Sequence, residues 1–198
     1  MNLRLSLVTI LFCGWINFAF ASDFVTKGDI RKSNVESFKS FFTKEKCDQI
    51  LIDTFTICYD HERKSPTAVY VEVTGPTVIE DIDKRPPFFT DKRVEKDYRT
   101  TSKDYTNTGY DRGHFGASDA SHDWDKKHQK ATYSMANIVP QTPFANRYKF
   151  IALEKHEREM AVKYGRLENV TIAFWNNRPK RIGKSQLQVP SAFAKLYT

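Results

Sequence analysis

The chain has 198 residues, enough for one domain with a real core, and an ordinary globular composition without the marks of disorder. Its 31 Lys and Arg outnumber 24 Asp and Glu, a formal net charge of +7, which favours an anionic partner: nucleic acid, an acidic polysaccharide or a membrane surface. It holds no Gly-rich phosphate loop, no His-Glu-x-x-His zinc motif and no Ser-His-Asp pattern, so those three chemistries find no support.

Residues 1–21 are predicted to be a secretory signal peptide. Arg4 supplies the positive end, residues 5–12 the apolar run, and Ala19-Phe20-Ala21 a small-x-small cleavage site, with the cut after Ala21. The alternative, an uncleaved anchor, is disfavoured by Gly14 and Asn17 and by the shortness of the run, and no other segment is apolar enough to cross a membrane. Cleavage removes only Arg4 among the charges and leaves Cys47 and Cys58 as an even pair. In an oxidising compartment that pair reads as a disulfide, with two free buried thiols as the alternative. Only His61 lies nearby, too few ligands for structural zinc.

Residues 22–45 form a polar N-terminal arm, with a short helix or loop at 37–45. Strands are predicted at 50–59 and 67–74, joined by a charged turn at 60–66. The second alternates Val69, Val71 and Val73 against Tyr70, Glu72 and Thr74, and Gly75-Pro76 ends it. Residues 81–104, charged and containing Pro86-Pro87, read as a long surface segment. A loop at 104–109 leads to a short strand at 110–114, an irregular stretch at 115–125, a helical turn at 125–131 and a strand at 133–139 stopped by Pro140. Residues 143–164 predict a helix: Phe150, Leu153, Met160, Ala161 and Tyr164 recur at three- and four-residue spacings, with Pro143 at the start and Gly165 at the end. Further strands fall at 170–175 and 186–189. Strands and helices mix without a βαβ rhythm, so the fold class is α+β with a central antiparallel sheet and flanking helices.

The densest chemistry lies in Tyr110-Asp111-Arg112-Gly113-His114, followed by Asn137, by Asn146 and, eight residues on, by Glu154. Phosphodiester hydrolysis needs water deprotonated, a doubly charged transition state neutralised, the leaving oxygen stabilised and the backbone held. Histidine suits the first, with an unperturbed pKa near 6.5. A divalent metal suits the next two, and arginine forks suit the last. Asn146 offers a neutral amide oxygen that can ligate Mg²⁺ without cancelling its field. Along a helix, eight residues leave Glu154 a net ~80° from Asn146, on one broad face. Arg112 and His114, two apart, share a side if the strand reaches that far. Taken alone, Asn146 fits a helix cap or first-turn residue better than a ligand, and only the spacing speaks against Glu154 as a solvent-facing glutamate. The group Asp119, His122, Asp123 and Asp125 matches no ligand spacing and reads as a solvated loop.

The Asp-Arg-Gly-His block with an Asn some thirty residues later on a helix resembles the DNA/RNA non-specific endonucleases of the ββα-metal type. The likeness runs from about Cys47 and is densest from Tyr98 to Glu154. It implies a ββα-metal motif in a nuclease domain at 46–198, with His114 as general base and Arg112 beside it. It also implies Asn146 as the direct ligand of Mg²⁺ (Mn²⁺ as an alternative) and Glu154 acting through metal-bound water. Asn137 accompanies the catalytic group in a supporting role and Arg99 binds phosphate, while Asp111 supports the loop or orients a neighbour rather than ligating metal. The implied reaction is sugar-non-specific cleavage of DNA and RNA to 5′-phosphate ends, in the periplasm or the medium. A catalytically inactive exported nucleic-acid-binding protein and a binder of another polyanion are the competing readings. Family members usually continue beyond Val189–Phe193 through further strand, so the end at Thr198 suggests a short or truncated member.

Overall fold

The structure, a computed structural model, describes residues 8–12, 47–52, 55–78, 82, 84–122 and 124–197, the first of these as backbone only. The predicted arm and its helix at 37–45 lie outside them. Among the described residues the strands are β1 (Val8–Phe12), β2 (Asp48–Ile52), β3 (Phe55–Asp60), β4 (Ser65–Thr74), β5 (Asp111–His114), β6 (Ile138–Gln141), β7 (Arg166–Phe174), β8 (Arg181–Ile182), β9 (Leu187–Gln188) and β10 (Ala192–Tyr197). Six of them form one antiparallel sheet in the order β1-β10-β7-β4-β3-β2. β5 pairs with β6 and β8 with β9 in separate ribbons. This is the α+β class expected, with its sheet antiparallel throughout.

The valine alternation of β4 decides the core. Val69, Val71 and Val73 are at most 1% exposed and pack with Phe55, Ile57, Phe115, Phe150, Leu167 and Phe193, while Tyr70, Glu72 and Thr74 are half-buried on the other side. The strand predicted at 50–59 is instead a hairpin, β2 and β3, in which Ile50 faces Ile57 and Ile52 faces Phe55. The apolar set changes parity there, from even positions (50, 52) to odd ones (55, 57, 59), and one straight strand cannot keep both sets on one face. Cys47 and Cys58 are joined across this hairpin as a disulfide, with Cα atoms 5.3 Å apart, so the free-thiol alternative falls.

Pro140 does not stop the second ribbon strand. It lies inside β6, opposite Arg112. A strand with one paired neighbour tolerates the missing N–H. Before it, Met135–Asn137 is a 3₁₀ turn where strand was expected. The helix at 143–164 begins with Thr142, whose hydroxyl accepts from the Ala145 N–H. It passes through a π turn at Ala145–Phe150 and continues as a regular helix over Ile151–Tyr164. Gly165 closes it at φ 83°, a left-handed conformation that favours glycine. Phe150, Met160 and Ala161 face the core as the spacing predicts, whereas Tyr164 is 38% exposed. A shorter helix, α1 (Lys126–Thr132), is capped by the Asp125 carboxylate, which accepts from the N–H groups of Lys127 and His128. The longer regular helix, Ile151–Tyr164, is α2. No described helix is long and apolar enough to cross a membrane.

Candidate active site

β5 and β6 pair Asp111 with Gln141, Arg112 with Pro140, Gly113 with Val139 and His114 with Ile138. Alternation therefore sends Arg112 and His114 to one side, and both reach the same ring. The Arg112 guanidinium carbon lies 4.9 Å from the Phe88 centroid, and the His114 ring 5.9 Å from it. Tyr133 meets His114 edge-on at 4.9 Å. Phe88 is fixed because its neighbour Phe89 bonds the chain at residues 133–135: its N–H donates to the Tyr133 carbonyl, and its carbonyl accepts from the Met135 N–H. Asp91, 3% exposed, accepts from Ser134 and Arg93 in the same region. The described residues of the segment at 81–104 run over the surface as expected, with Lys84, Arg85, Lys92, Arg93 and Lys96 exposed, but the segment is anchored by the buried Asp91, Val94, Thr100 and Asp104. Its charged residues Asp91 and Asp104 are bonded inside it.

Asp111 is the organising carboxylate. It accepts from the Asn146 amide at 3.1 Å and from the Arg147 guanidinium at 2.8 and 2.9 Å. Those bonds, Arg147 first and Asn146 after it, hold its carboxyl below the usual range. The contact fixes the Asn146 amide with its N–H₂ on Asp111, leaving the carbonyl oxygen as the group it can offer elsewhere. The helix cap is Thr142, so Asn146 is not needed in that role. Asn146, Asp111, Arg112, Tyr110, Tyr105 and Phe88 line one open cleft of about 350 Å³. His114 is reached across the Phe88 ring and is not itself in that lining. The structure therefore brings Arg112 and Asn146 together directly, and His114 through a shared aromatic neighbour.

His114 is half-buried, and its Nε2 has no solvent contact and no hydrogen-bond partner among the described residues. Burial pushes the imidazole down to about 3, helped by the charge of Arg85 and by His122. The ring is neutral at pH 7 and has a lone pair to give. Gly113 beside it has no room for a side chain, since a Cβ there would lie 2.2 Å from Cδ of Gln141. Gln141 is fully buried and donates its amide to the His114 carbonyl. Gly113→Ala should displace that amide and cost ~1–3 kcal/mol by overpacking, read as a lower urea midpoint. An unchanged midpoint would show that Gln141 swings aside freely.

Two sequence expectations take other places. Asn137 is fully buried and cannot touch a substrate. Its amide donates to the carbonyls of Ala117 and Thr132, and its oxygen accepts from the N–H groups of Gly116 and Ala117. It braces the loop that follows His114. Arg99 donates to the backbone carbonyls of Val94 and Lys92, so its guanidinium ties a loop and does not line the cleft.

Glu154 is not a solvent-facing glutamate. It is half-buried, and burial pushes its carboxyl up to about 7, with Lys195 opposing and Glu157 adding to the shift. The π turn bears on its position: an i→i+5 turn advances each residue by less than an α turn does. This brings Glu154 nearer to the direction of Asn146 than the ~80° of an unbroken α-helix. One turn on, Glu157 and Lys195 form an ion pair at 2.6 Å, each 1% exposed, and the Tyr197 hydroxyl donates to the same carboxylate oxygen at 3.0 Å. This network, Arg147 and Phe88 were missed by the sequence reading, because each joins elements distant in sequence and no local spacing marks it.

His122 also corrects its expectation. It is fully buried, its Nδ1 bonded to the Ser118 carbonyl, and it packs on Phe55 and Trp124. Burial lowers it to about 4. A histidine whose folded pKa lies below its unfolded value gives stability that is whole above about 6.5 and is lost as pH falls through 4. Between pH 6.5 and 5 the unfolding free energy should fall by about 2 kcal/mol from this residue, with His114 acting in the same direction. Equal urea midpoints at pH 7 and pH 5 would contradict it.

No three His, Cys, Asp or Glu side chains are grouped for metal binding among the described residues. The cleft offers a single oriented amide oxygen, that of Asn146, which suits one hard cation that keeps most of its water; Glu154, two turns further along the helix, does not line the cleft.

A two-stranded ribbon carrying Asp-Arg-Gly-His, with a following helix that returns an asparagine to its aspartate, is a ββα-metal nuclease fold. The model of the DNA/RNA non-specific endonuclease family matches residues 34–198, and the chain belongs to that family. It is 28% identical over 155 residues to mitochondrial endonuclease G of Homo sapiens, covering 73% of this chain and 52% of that protein. It is 35% identical over 98 residues to a nuclease of Nostoc sp. (strain PCC 7120 / SAG 25.82 / UTEX 2576), covering 50% of this chain and 35% of that one. The chain spans about half the length of its endonuclease G relatives. A crystal structure of the EndoG/EndoGI complex shares the fold with a TM-score of 0.70 at 23% identity, over 82% of this chain and 72% of that one.

Proposed function

We propose that this chain is an exported endonuclease that hydrolyses the backbones of DNA and RNA with a Mg²⁺-type ion (Mn²⁺ as an alternative), leaving 5′-phosphate ends. The observation that carries this is Asp111 holding Asn146 beside Arg112 in one cleft, within a chain of this family. Asn146 would ligate the ion directly and Glu154 through water. Once bound, that ion would offset charge on the phosphate and on the leaving 3′ oxygen. Arg112, exposed at the cleft, meets the phosphate oxygens. His114 would take the proton of the attacking water, and because its Nε2 has no solvent contact here, the Phe88 or Tyr133 ring packed on it must shift to admit that water. A phosphate's negative charge nearby raises the basicity that burial lowers. The new bond is water oxygen to phosphorus, and the broken one is phosphorus to the 3′ oxygen. Backbone contacts carry no sequence code, so the cut is non-specific. Export is supported by the Cys47–Cys58 disulfide. Cleavage after Ala21 would remove β1 and leave β10 as the sheet edge.

Supercoiled plasmid and a labelled RNA, incubated with Mg²⁺ or Mn²⁺, should both be cut to 5′-phosphorylated fragments, and EDTA should abolish cutting. Binding without cleavage under either ion would instead support the inactive nucleic-acid-binding protein. Cleavage that persists in EDTA would remove the metal from the scheme.

A further inference from the structure

The β8–β9 hairpin is the most strongly charged feature that the site leaves unused. No Asp or Glu occurs after Glu168, and Arg178, Lys180, Arg181 and Lys184 are all exposed. The hairpin is nonetheless firmly built. Ile182, Leu187 and Val189 are buried in a cluster with Tyr105, Met135 and Ile138, against which Phe88 and Tyr110 pack. The Ser185 N–H donates to the Asp104 carboxylate at 2.8 Å. Phe88, Tyr105 and Tyr110 are also lining residues of the cleft that holds Arg112 and Asn146. The apolar side of the hairpin is thus one wall of the site's own foundation, and its cationic side faces water beside the opening. Lys180 marks the junction, its Nζ lying 4.9 Å from the Tyr110 ring centroid.

We propose that this hairpin is a second nucleic-acid contact surface, which holds backbone phosphates to one flank of the bond being cut. The proposal rests on the nuclease reading for its substrate. Tyr110 stands two residues, ~7 Å of strand, before Arg112. That span is of the order of one to two phosphate steps along a duplex strand, which rises ~3.4 Å of axis per phosphate, so Lys180 is set to meet a phosphate close beside the one at Arg112. Arg178 and Lys184 extend the track outward. The surface acts on binding and not on bond breaking, so it favours long substrates over short ones through KM.

The test uses the triple variant Arg178→Gln/Lys180→Gln/Lys184→Gln and a charge-matched control, Lys96→Gln/Lys126→Gln/Lys163→Gln, whose three lysines are also exposed. Binding of a fluorescein-labelled duplex of about two helical turns is followed by anisotropy in EDTA across a salt series. Hydrolysis of bis(p-nitrophenyl) phosphate, too small to reach the hairpin, is followed with Mg²⁺. The hairpin variant should bind the duplex at least tenfold more weakly, and its log Kd against log salt slope should shrink by ~2–3, since each lost phosphate contact removes about 0.9. The control should keep its slope within about one, and small-diester turnover should be unchanged in both variants. Wild-type affinity and slope in the hairpin variant, or an equal loss in the control, would overturn the proposal. Because binding is read without metal, the hairpin is judged even if the wild type proves not to cut. A cutting wild type with an unaffected variant would sink the hairpin alone.

Discussion

His114→Ala is expected to lower kcat on plasmid DNA by ~10²–10⁴-fold, the range for losing a positioned general base. Affinity for DNA in EDTA should stay within about twofold of wild type. The split follows from where the ring sits. Its Nε2 has no partner and no solvent contact among the described residues, so it contributes no hydrogen bond whose loss would weaken the fold. In the proposed reaction the phosphate-binding charge is that of Arg112, which keeps its place over Phe88. The ring does pack on Phe88 and Tyr133, and its removal leaves a small void, so His114→Gln should accompany it. Glutamine fills much of the space but is no base at neutral pH, and it should be as inactive as alanine while unfolding closer to wild type. Activity within tenfold of wild type in His114→Gln would remove His114 from the chemistry and return attention to water held elsewhere in the cleft. Loss of DNA binding along with activity would mean that the ring holds the cleft open rather than moving a proton.

What was legible in advance was whatever repeats locally. Val69, Val71 and Val73 alternate because β4 has one face on the core, and the structure buries them. Gly165 ends the helix because the chain turns left-handed there. Asp111 to His114 form a strand that ends where the motif ends. What was hidden depends on partners far away in sequence. Lys195 is buried because Glu157, 38 residues earlier, meets it. A lysine in Ala192–Tyr197 gives no local sign that this part of β10 is buried. Pro140 reads as a stop because nothing local shows that β6 pairs on one side only. The π turn at Ala145–Phe150 leaves no mark on apolar spacing, yet it decides how Asn146 and Glu154 face each other. Asn137 and Asn146 are alike as letters. Only burial separates the loop brace from the residue that opens on the cleft.

Lys195→Ala is expected to destabilise the protein by ~3–5 kcal/mol, because it leaves the Glu157 carboxylate buried without its cation. Both side chains are 1% exposed and 2.6 Å apart, and the Tyr197 hydroxyl donates to the same oxygen, a bond that cannot replace a full charge. Against a typical domain stability of ~5–15 kcal/mol the loss is large enough to show as a much lower urea midpoint. The pair also fastens α2 to β10, and α2 carries Glu154 one turn before Glu157. Removing the ammonium takes away the charge that opposes the upward push on Glu154, so surviving folded protein should need more Mg²⁺ for half-maximal cleavage. Glu157→Leu/Lys195→Met tests both effects. With both charges gone and the volume kept, most of the stability should return, and the Mg²⁺ requirement should fall back towards wild type, because the Glu157 charge that adds to the push on Glu154 is lost together with the Lys195 charge that opposes it. A Lys195→Ala variant within about 1 kcal/mol of wild type would mean that water reaches the pair, and α2 would then be held to the sheet by Phe150, Met160 and Ala161 alone.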